Sequence, residues 1–349
     1  MAEKEVPMSP RHPERWSRRA FLRALTLAGP AGLVAVRAAP AAAEPPPEAT
    51  RLAIVQSGVC FAPQYVAEAL LRAEGFSDVT YVKTVTTTVD NYEALAAGTT
   101  HLGFGFASAL IARIDGGDPL VFVAGGHVGC QQIVGHERLQ AIRDLRGKRI
   151  AIAGPGAPDH IQVASILAYV GIDPRTDVEW VTHGGRGAES MRLFVQGAVD
   201  ACLLSPPLTQ ERRAKGIGRV LLDTTLDRPW SQYFCCMSAA NQEFARNYPV
   251  ATKRALRAIL KAADICALEP ERVARGLVER GVTTNYEYAA QAMREVPYGQ
   301  WRDYSPEDTI RFYALRLHEV GMIKSTPQQI MAQGADWHFL TELKKELKG

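Results

Sequence analysis

Asp144-Leu145-Arg146-Gly147-Lys148-Arg149-Ile150-Ala151-Ile152-Ala153-Gly154-Pro155-Gly156-Ala157-Pro158-Asp159 is the stretch whose reading decides the fold. A polar turn at Gly147 delivers the chain into a short strand, 148–153, apolar from Ile150 on. Glycine and proline break that strand at once. Ile161, Ala164, Ile166, Leu167 and Val170 then follow at helical spacing until Gly171 stops them. A buried strand that feeds a helix through a glycine-rich turn is the opening of a βαβ unit.

The same alternation runs on in both directions. Downstream, strands are expected at 178–181, 199–204 and 219–222, with helices at 188–196 and 209–215. Upstream, 51–56, 79–85, 101–106 and 120–124 read as strands. Helices are expected after Pro63 and over 91–97 and 108–114. Alternating strands and helices predict mainly parallel sheets covered on both faces, here in two blocks. From Pro249 onward no further strand is expected. Ser305-Pro306-Glu307-Asp308 and Thr326-Pro327-Gln328-Gln329 are helix-capping signals, so the last hundred residues read as helices docked on something larger.

The first residues read differently. Ser17-Arg18-Arg19-Ala20-Phe21-Leu22-Arg23 has the form of a twin-arginine export signal. A short uncharged run to Val36 and the small residues Ala41-Ala42-Ala43 follow, so 1–43 is expected to be a signal peptide cleaved after Ala43. The run is too short to span a membrane. Charge supports the division. The full chain carries 40 Lys and Arg against 37 Asp and Glu, but residues 1–43 hold seven basic and three acidic ones. The remainder is left with 33 against 34, and nucleic acid is not an expected partner.

Six cysteines, Cys60, Cys130, Cys202, Cys235, Cys236 and Cys266, are too sparse for a disulfide scaffold. Neither they nor the scattered histidines show a zinc-ligand spacing, and no metal is expected. Cys235-Cys236 reads as strand core beside Phe234 and Met237, with a soft-metal pair or a vicinal bridge as alternatives.

At 144–151 the chain resembles the "D-L-[KR]-G-K-x-[VI]-A" strand entry of the periplasmic substrate-binding proteins of ABC importers for nitrate, sulfonates, taurine and thiamine-pyrimidine precursors. The resemblance continues through Gly156 and His160, through 167–174, and through Gly197-Ala198-Val199-Asp200-Ala201, similar to that family's "G-x-[VI]-D-A" strand. It covers roughly residues 51–270. It implies an α/β, two-lobed periplasmic-binding-protein fold of type II-like form. Each lobe would be a mainly parallel sheet flanked by helices. Residues 44–129 and 237–349 would form lobe one, with the C-terminal helices packed on it, and 130–236 would form lobe two. The crossovers would fall near 129–131 and 233–237. The implied protein is monomeric, exported to the periplasm and without a cofactor. Its partners would be a small-molecule ligand and an ABC permease in the inner membrane.

Ligands of open α/β sheets bind beyond the carboxyl ends of strands, where helix N-termini offer free N–H groups. Four loops qualify: 57–61, 105–108, 154–160 and 183–186. The candidate ligand-binding residues are Ser57, Gly58, Phe61, Gly105, Phe106, Ser108, Gly156, Asp159, His160, Arg186 and Tyr233. Glycines at 105 and 156 would let backbone donors approach, Arg186 would add a charge-assisted bond, and the aromatics would hold an organic tail. A small organic anion such as a sulfonate is favoured on balance, although Asp159 argues against an anion unless it caps the helix. The rival is a pyrimidine-synthase-like enzyme, whose cofactor-bearing lysine has no counterpart in 101–110; a ligand-binding sensor module is the third class.

Overall fold

The computed structural model describes residues 44–56, 58–83 and 89–347. The expected signal peptide and the candidate Ser57 lie outside them. β1 (Arg51–Gln56) buries Leu52 and Ile54 on one face and Val55 on the other, leaving Arg51 exposed, as a strand covered on both sides does. β2 (Asp78–Lys83) and β3 (Leu102–Phe106) pair with it in parallel. β4 (Leu120–Val128) is nine residues long and buried throughout.

The chain then leaves this sheet and builds a second one. β5 (Gln132–Gly135), β6 (Arg149–Ile152), β7 (Glu179–Thr182), β8 (Ala201–Leu204) and β9 (Arg219–Asp223) take the order β7-β6-β8-β5-β9. β10 (Phe234–Asn241) returns to the first sheet and inserts antiparallel between β3 and β4, giving β2-β1-β3-β10-β4. Each sheet therefore has four strands of one direction and one opposed strand, β5 or β10. This is the binding-protein α/β fold that the resemblance implied. Val128, the last residue of β4, is the cross-strand partner of Phe234, the first of β10. Gly125 in β4 is required there, because a Cβ would meet the Phe234 ring at 2.2 Å.

The deciding stretch folds as its pattern demands. Pro158 opens the helix Pro158–Tyr169, which buries Ile161, Val163, Ala164, Ile166 and Leu167. Gly171 ends it in the left-handed region, φ +79, with Ile172 N–H donating back to the Leu167 carbonyl. Asp200 of the second motif explains the spacing between the two motifs. Its carboxylate accepts from the backbone N–H and the Nε of Arg149, both at 3.1 Å, and so locks β6 to the turn before β8. Burial works against that charge, yet the Arg149 hydrogen bonds hold the carboxyl below the usual aspartate range.

Both helix caps are present: Ser305 Oγ accepts from Asp308 N–H, and Thr326 and Gln329 form a capping box. The C-terminal helix Pro306–Glu319 packs on Ala107–Asp115, beside the first sheet, and also on Pro158–Tyr169, beside the second. Those two helices are tied directly, the buried Ser108 Oγ donating to Gln162 Oε1 at 2.6 Å. Among the described residues no helix is long and apolar enough to cross a membrane.

Candidate functional site

A cavity of about 390 Å3 lies between the two sheets. Its walls come from the carboxyl ends of β1, β3, β6, β7 and β8, where parallel strands hand over to loops and helices. The size is that of a small-molecule site.

The wall from the first sheet is aromatic. Phe61, Tyr92, Phe104 and Phe106 line it, with the Phe61 and Phe104 rings 5.9 Å apart. Their positions are fixed by hydrogen bonds to the β3 backbone. Gln64 Oε1 accepts from Phe104 N–H at 2.8 Å, and Tyr92 Oη accepts from Phe106 N–H at 2.9 Å. Burial pushes the Tyr92 phenol well above its ordinary range, so it stays neutral.

The wall from the second sheet brings polar side chains, Asp159, Arg186 and Ser205, set among Pro158, Leu203, Pro206 and Leu208. The helix Gly187–Val195 presents its first residues, Gly187 and Ala188, to the cavity, with Arg186 as its N-cap residue. The first N–H groups of a helix have no partner inside it and carry the positive end of its dipole. His183 shapes the approach. Its Nδ1 accepts from Gly185 N–H at 3.0 Å, which places the proton on Nε2, 2.8 Å from Ser190 Oγ. Burial pushes the His183 imidazole down, so it is neutral. Asp159 also lines the cavity. It lies in the first turn of the helix Pro158–Tyr169 and accepts from the N–H groups of Ala153, at 2.8 Å, and His160, at 2.9 Å, tying that turn to the end of β6. Burial pushes its carboxyl up despite those bonds.

Of the residues expected from sequence, Gly58, Phe61, Phe106, Asp159 and Arg186 come together on the cavity wall. Apart from Ser57, which lies outside the described residues, the others are placed elsewhere. A Cβ on Gly105 would meet Tyr92 at 2.6 Å, so that glycine makes room for a ring rather than for a ligand. Ser108 is spent on Gln162. Gly156, at φ +78, makes the turn, and its N–H donates to His160 Nδ1 at 3.0 Å. The His160 ring stands edge-on to Trp180, and Tyr233 stacks on Phe312 at 4.2 Å.

Behind the cavity, where the chain passes between the sheets, Cys60, His127, Cys130 and Cys236 meet. One donor atom from each lies within 4.8 Å of the others, and all four residues are buried. Hydrogen bonds from Cys130 and Cys236 push the Cys60 thiol down, whereas burial pushes Cys130, Cys235 and Cys236 up.

The sequence profile of the NMT1-like family matches residues 43–278. The chain belongs to the NMT1-like family. Among solved structures, this NMT1-like chain shares its fold with the periplasmic nitrate-binding protein NrtA from Synechocystis. Identity is 16% and the TM-score 0.72, over 87% of this chain and 90% of that one. The alkanesulfonate-binding protein SsuA from Xanthomonas axonopodis, bound to MOPS, gives 18% identity and a TM-score of 0.62, over 81% and 96%. The desulfurization enzyme DSZB also matches, at 14% identity and a TM-score of 0.58, over 85% and 99%. No curated protein sequence matches the chain.

Sequence reasoning missed several lining residues of this family member. Ser205, Pro206 and Pro207 follow β8, so the carboxyl-end rule that found the other loops would have found them too. Tyr92 and Asn91 come from the helix Val89–Ala96, whose sequence reads as ordinary core. The cysteine cluster had one local signal, the His127-Val128-Gly129-Cys130 spacing, which the expectation of no zinc-ligand spacing passed over; Cys60 and Cys236 lie in distant segments.

Proposed function

We propose that this protein is the extracytoplasmic solute-binding component of an ABC importer. It holds a small organic anion, sulfonate in class, between two lobes and delivers it to a membrane permease. Residues 44–129 with 237–349 form one lobe and 130–236 the other. The observation that carries this reading is the opposition of the two cavity walls. One offers aromatic faces for an apolar body, and the other offers a helix N-terminus with Arg186 beside it for a charged head. The relatives named above that bind nitrate and a sulfonate buffer support it. So does the export signal expected in residues 1–43.

No chemistry is needed for this role. A ligand that touches both lobes stabilises the closed form over the open one by its extra contacts. Micromolar affinity, about −8 kcal/mol, holds the solute and still lets it go.

A thermal-shift screen over alkane- and arylsulfonates, nitrate, carboxylates and pyrimidines tests the proposal. Ligand at a hundredfold excess over Kd stabilises by about 2.7 kcal/mol, which a melting curve resolves. Sulfonates with an apolar tail should raise Tm most. A neutral pyrimidine that outperforms every anion would overturn the assignment.

A further inference from the structure

We infer that Cys60, Cys130, Cys236 and His127 form a closed, four-coordinate site for one zinc ion, placed where the chain crosses between its two sheets. Their donor atoms converge from four elements: the short helical turn after β1, the end of β4, the first crossing segment, and β10. A tetrahedral zinc site with Zn–S bonds of about 2.3 Å has ligand-to-ligand edges of about 3.8 Å. Donors already within 4.8 Å of one another need only a small contraction to reach that geometry.

Buried thiols alone behave as small hydrophobes and need no ion. The imidazole does not fit that explanation. His127 is 1% exposed, and its Nδ1 lies 3.2 Å from the Val128 carbonyl oxygen, which takes the proton of that nitrogen. The lone pair is then on Nε2, a buried atom with no hydrogen-bond partner among the described residues. A ligating histidine has this arrangement, one nitrogen fixed by a carbonyl and the other free for the metal. A disulfide among the cysteines would leave that nitrogen unsatisfied.

The backbone gives a second, independent sign. Cys130 has φ +82, the one non-glycine residue in the left-handed region among the described residues. Strained conformations of this kind persist where surrounding structure demands them, and here the demand delivers a thiol into the cluster. The outer shell is ordered as well. Tyr298 Oη donates to the Cys60 carbonyl at 3.1 Å, and its ring stands edge-on to His127 at 5.4 Å. Cys235, 3.5 Å from both Cys130 and Cys236, remains outside the set because its thiol donates to the Gly129 carbonyl. Binding displaces a proton from each of the three ligating thiols; the sulfurs remain on the ion as thiolates and the protons pass to solvent.

The test uses the whole reduced protein, stripped with a chelator and titrated with Co2+, then with Zn2+. One Co2+ per chain should give the strong visible bands of tetrahedral thiolate coordination, and Zn2+ should bleach them. Loss of a mere outer-shell partner weakens metal binding about 10–100-fold. Cys236→Ser and His127→Gln should therefore each cost more than about a hundredfold in Zn2+ affinity. Cys202→Ser, in the second sheet, should change nothing. Circular dichroism identifies any variant that fails to fold, and the His127 variant then reads the site without touching a sulfur. No tetrahedral Co2+ spectrum in protein whose six thiols all titrate would overturn the inference. An unchanged spectrum in folded His127→Gln would do the same. Solute affinity does not enter these readouts, so failure here leaves the solute-binding proposal standing.

Discussion

The two walls of the cavity obey one topological rule and differ in what they do with it. Both are made where parallel strands end. On the first-sheet side, the side chains that line the cavity are also core: Phe61 and Phe104 are 6% and 8% exposed and belong to the main apolar cluster. On the second-sheet side, Arg186 is exposed and projects from a helix start, and the neighbouring groups are backbone N–H donors. The aromatic wall is continuous with the core, whereas the charged side chains that face the cavity, Asp159 and Arg186, come from the second sheet.

That division can be broken by mutation. The largest effect is expected for Phe104→Ala, which should destabilise the protein by about 3 kcal/mol in chemical denaturation, as loss of a packed aromatic does. A cost below that of an ordinary surface change would show that the aromatic wall is not part of the core. Arg186→Ala should weaken an anionic ligand about tenfold, or about 1.4 kcal/mol, by calorimetry. Unchanged affinity would remove Arg186 from the site.

The smallest effect concerns pH. The Asp159 carboxyl is raised by burial, so it is neutral at pH values where an exposed aspartate is already charged. Its contribution to stability is present below the unfolded aspartate range and is lost as pH rises through the folded value. The same ionisation puts a negative charge in the cavity. Affinity for a fully ionised sulfonate should therefore fall severalfold as pH rises through that range, and Asp159→Asn should flatten the profile. A wild-type profile that is already flat would mean that Asp159 does not sense the ligand.

The division also marks how far a linear reading reaches. Periodicity, glycine stops and capping signals located most of the strands and helices, because each depends on residues within a few positions. Gly58, Phe61, Phe106, Asp159 and Arg186 followed, because a strand's carboxyl end is visible once the strand is. β5 escaped: it follows β4 with no helix between them and so stands outside the strand–helix alternation, and its antiparallel pairing with β8 and β9 is set by distant partners. Tyr92 looked like core and is core, yet it also faces the cavity. Gly105 was read as room for a ligand because nothing local says that Tyr92 fills the space. The proposed zinc site illustrates the limit, since His127 and Cys130 are three residues apart but Cys60 and Cys236 join them only when β4 and β10 pair in the first sheet.

The pairing of Val128 with Phe234 has a consequence for ancestry. Everything between them, the whole second sheet included, enters and leaves through a single rung of one ladder. No strand pairing of the first sheet uses any residue from 129 to 233. The ends of such a segment already lie side by side, so its length and its loops can change while the host sheet keeps its register, provided the face that packs on Ala107–Asp115 and Pro306–Glu319 is kept. A lineage built this way can acquire a new second wall between two adjacent points, without having to rediscover a core.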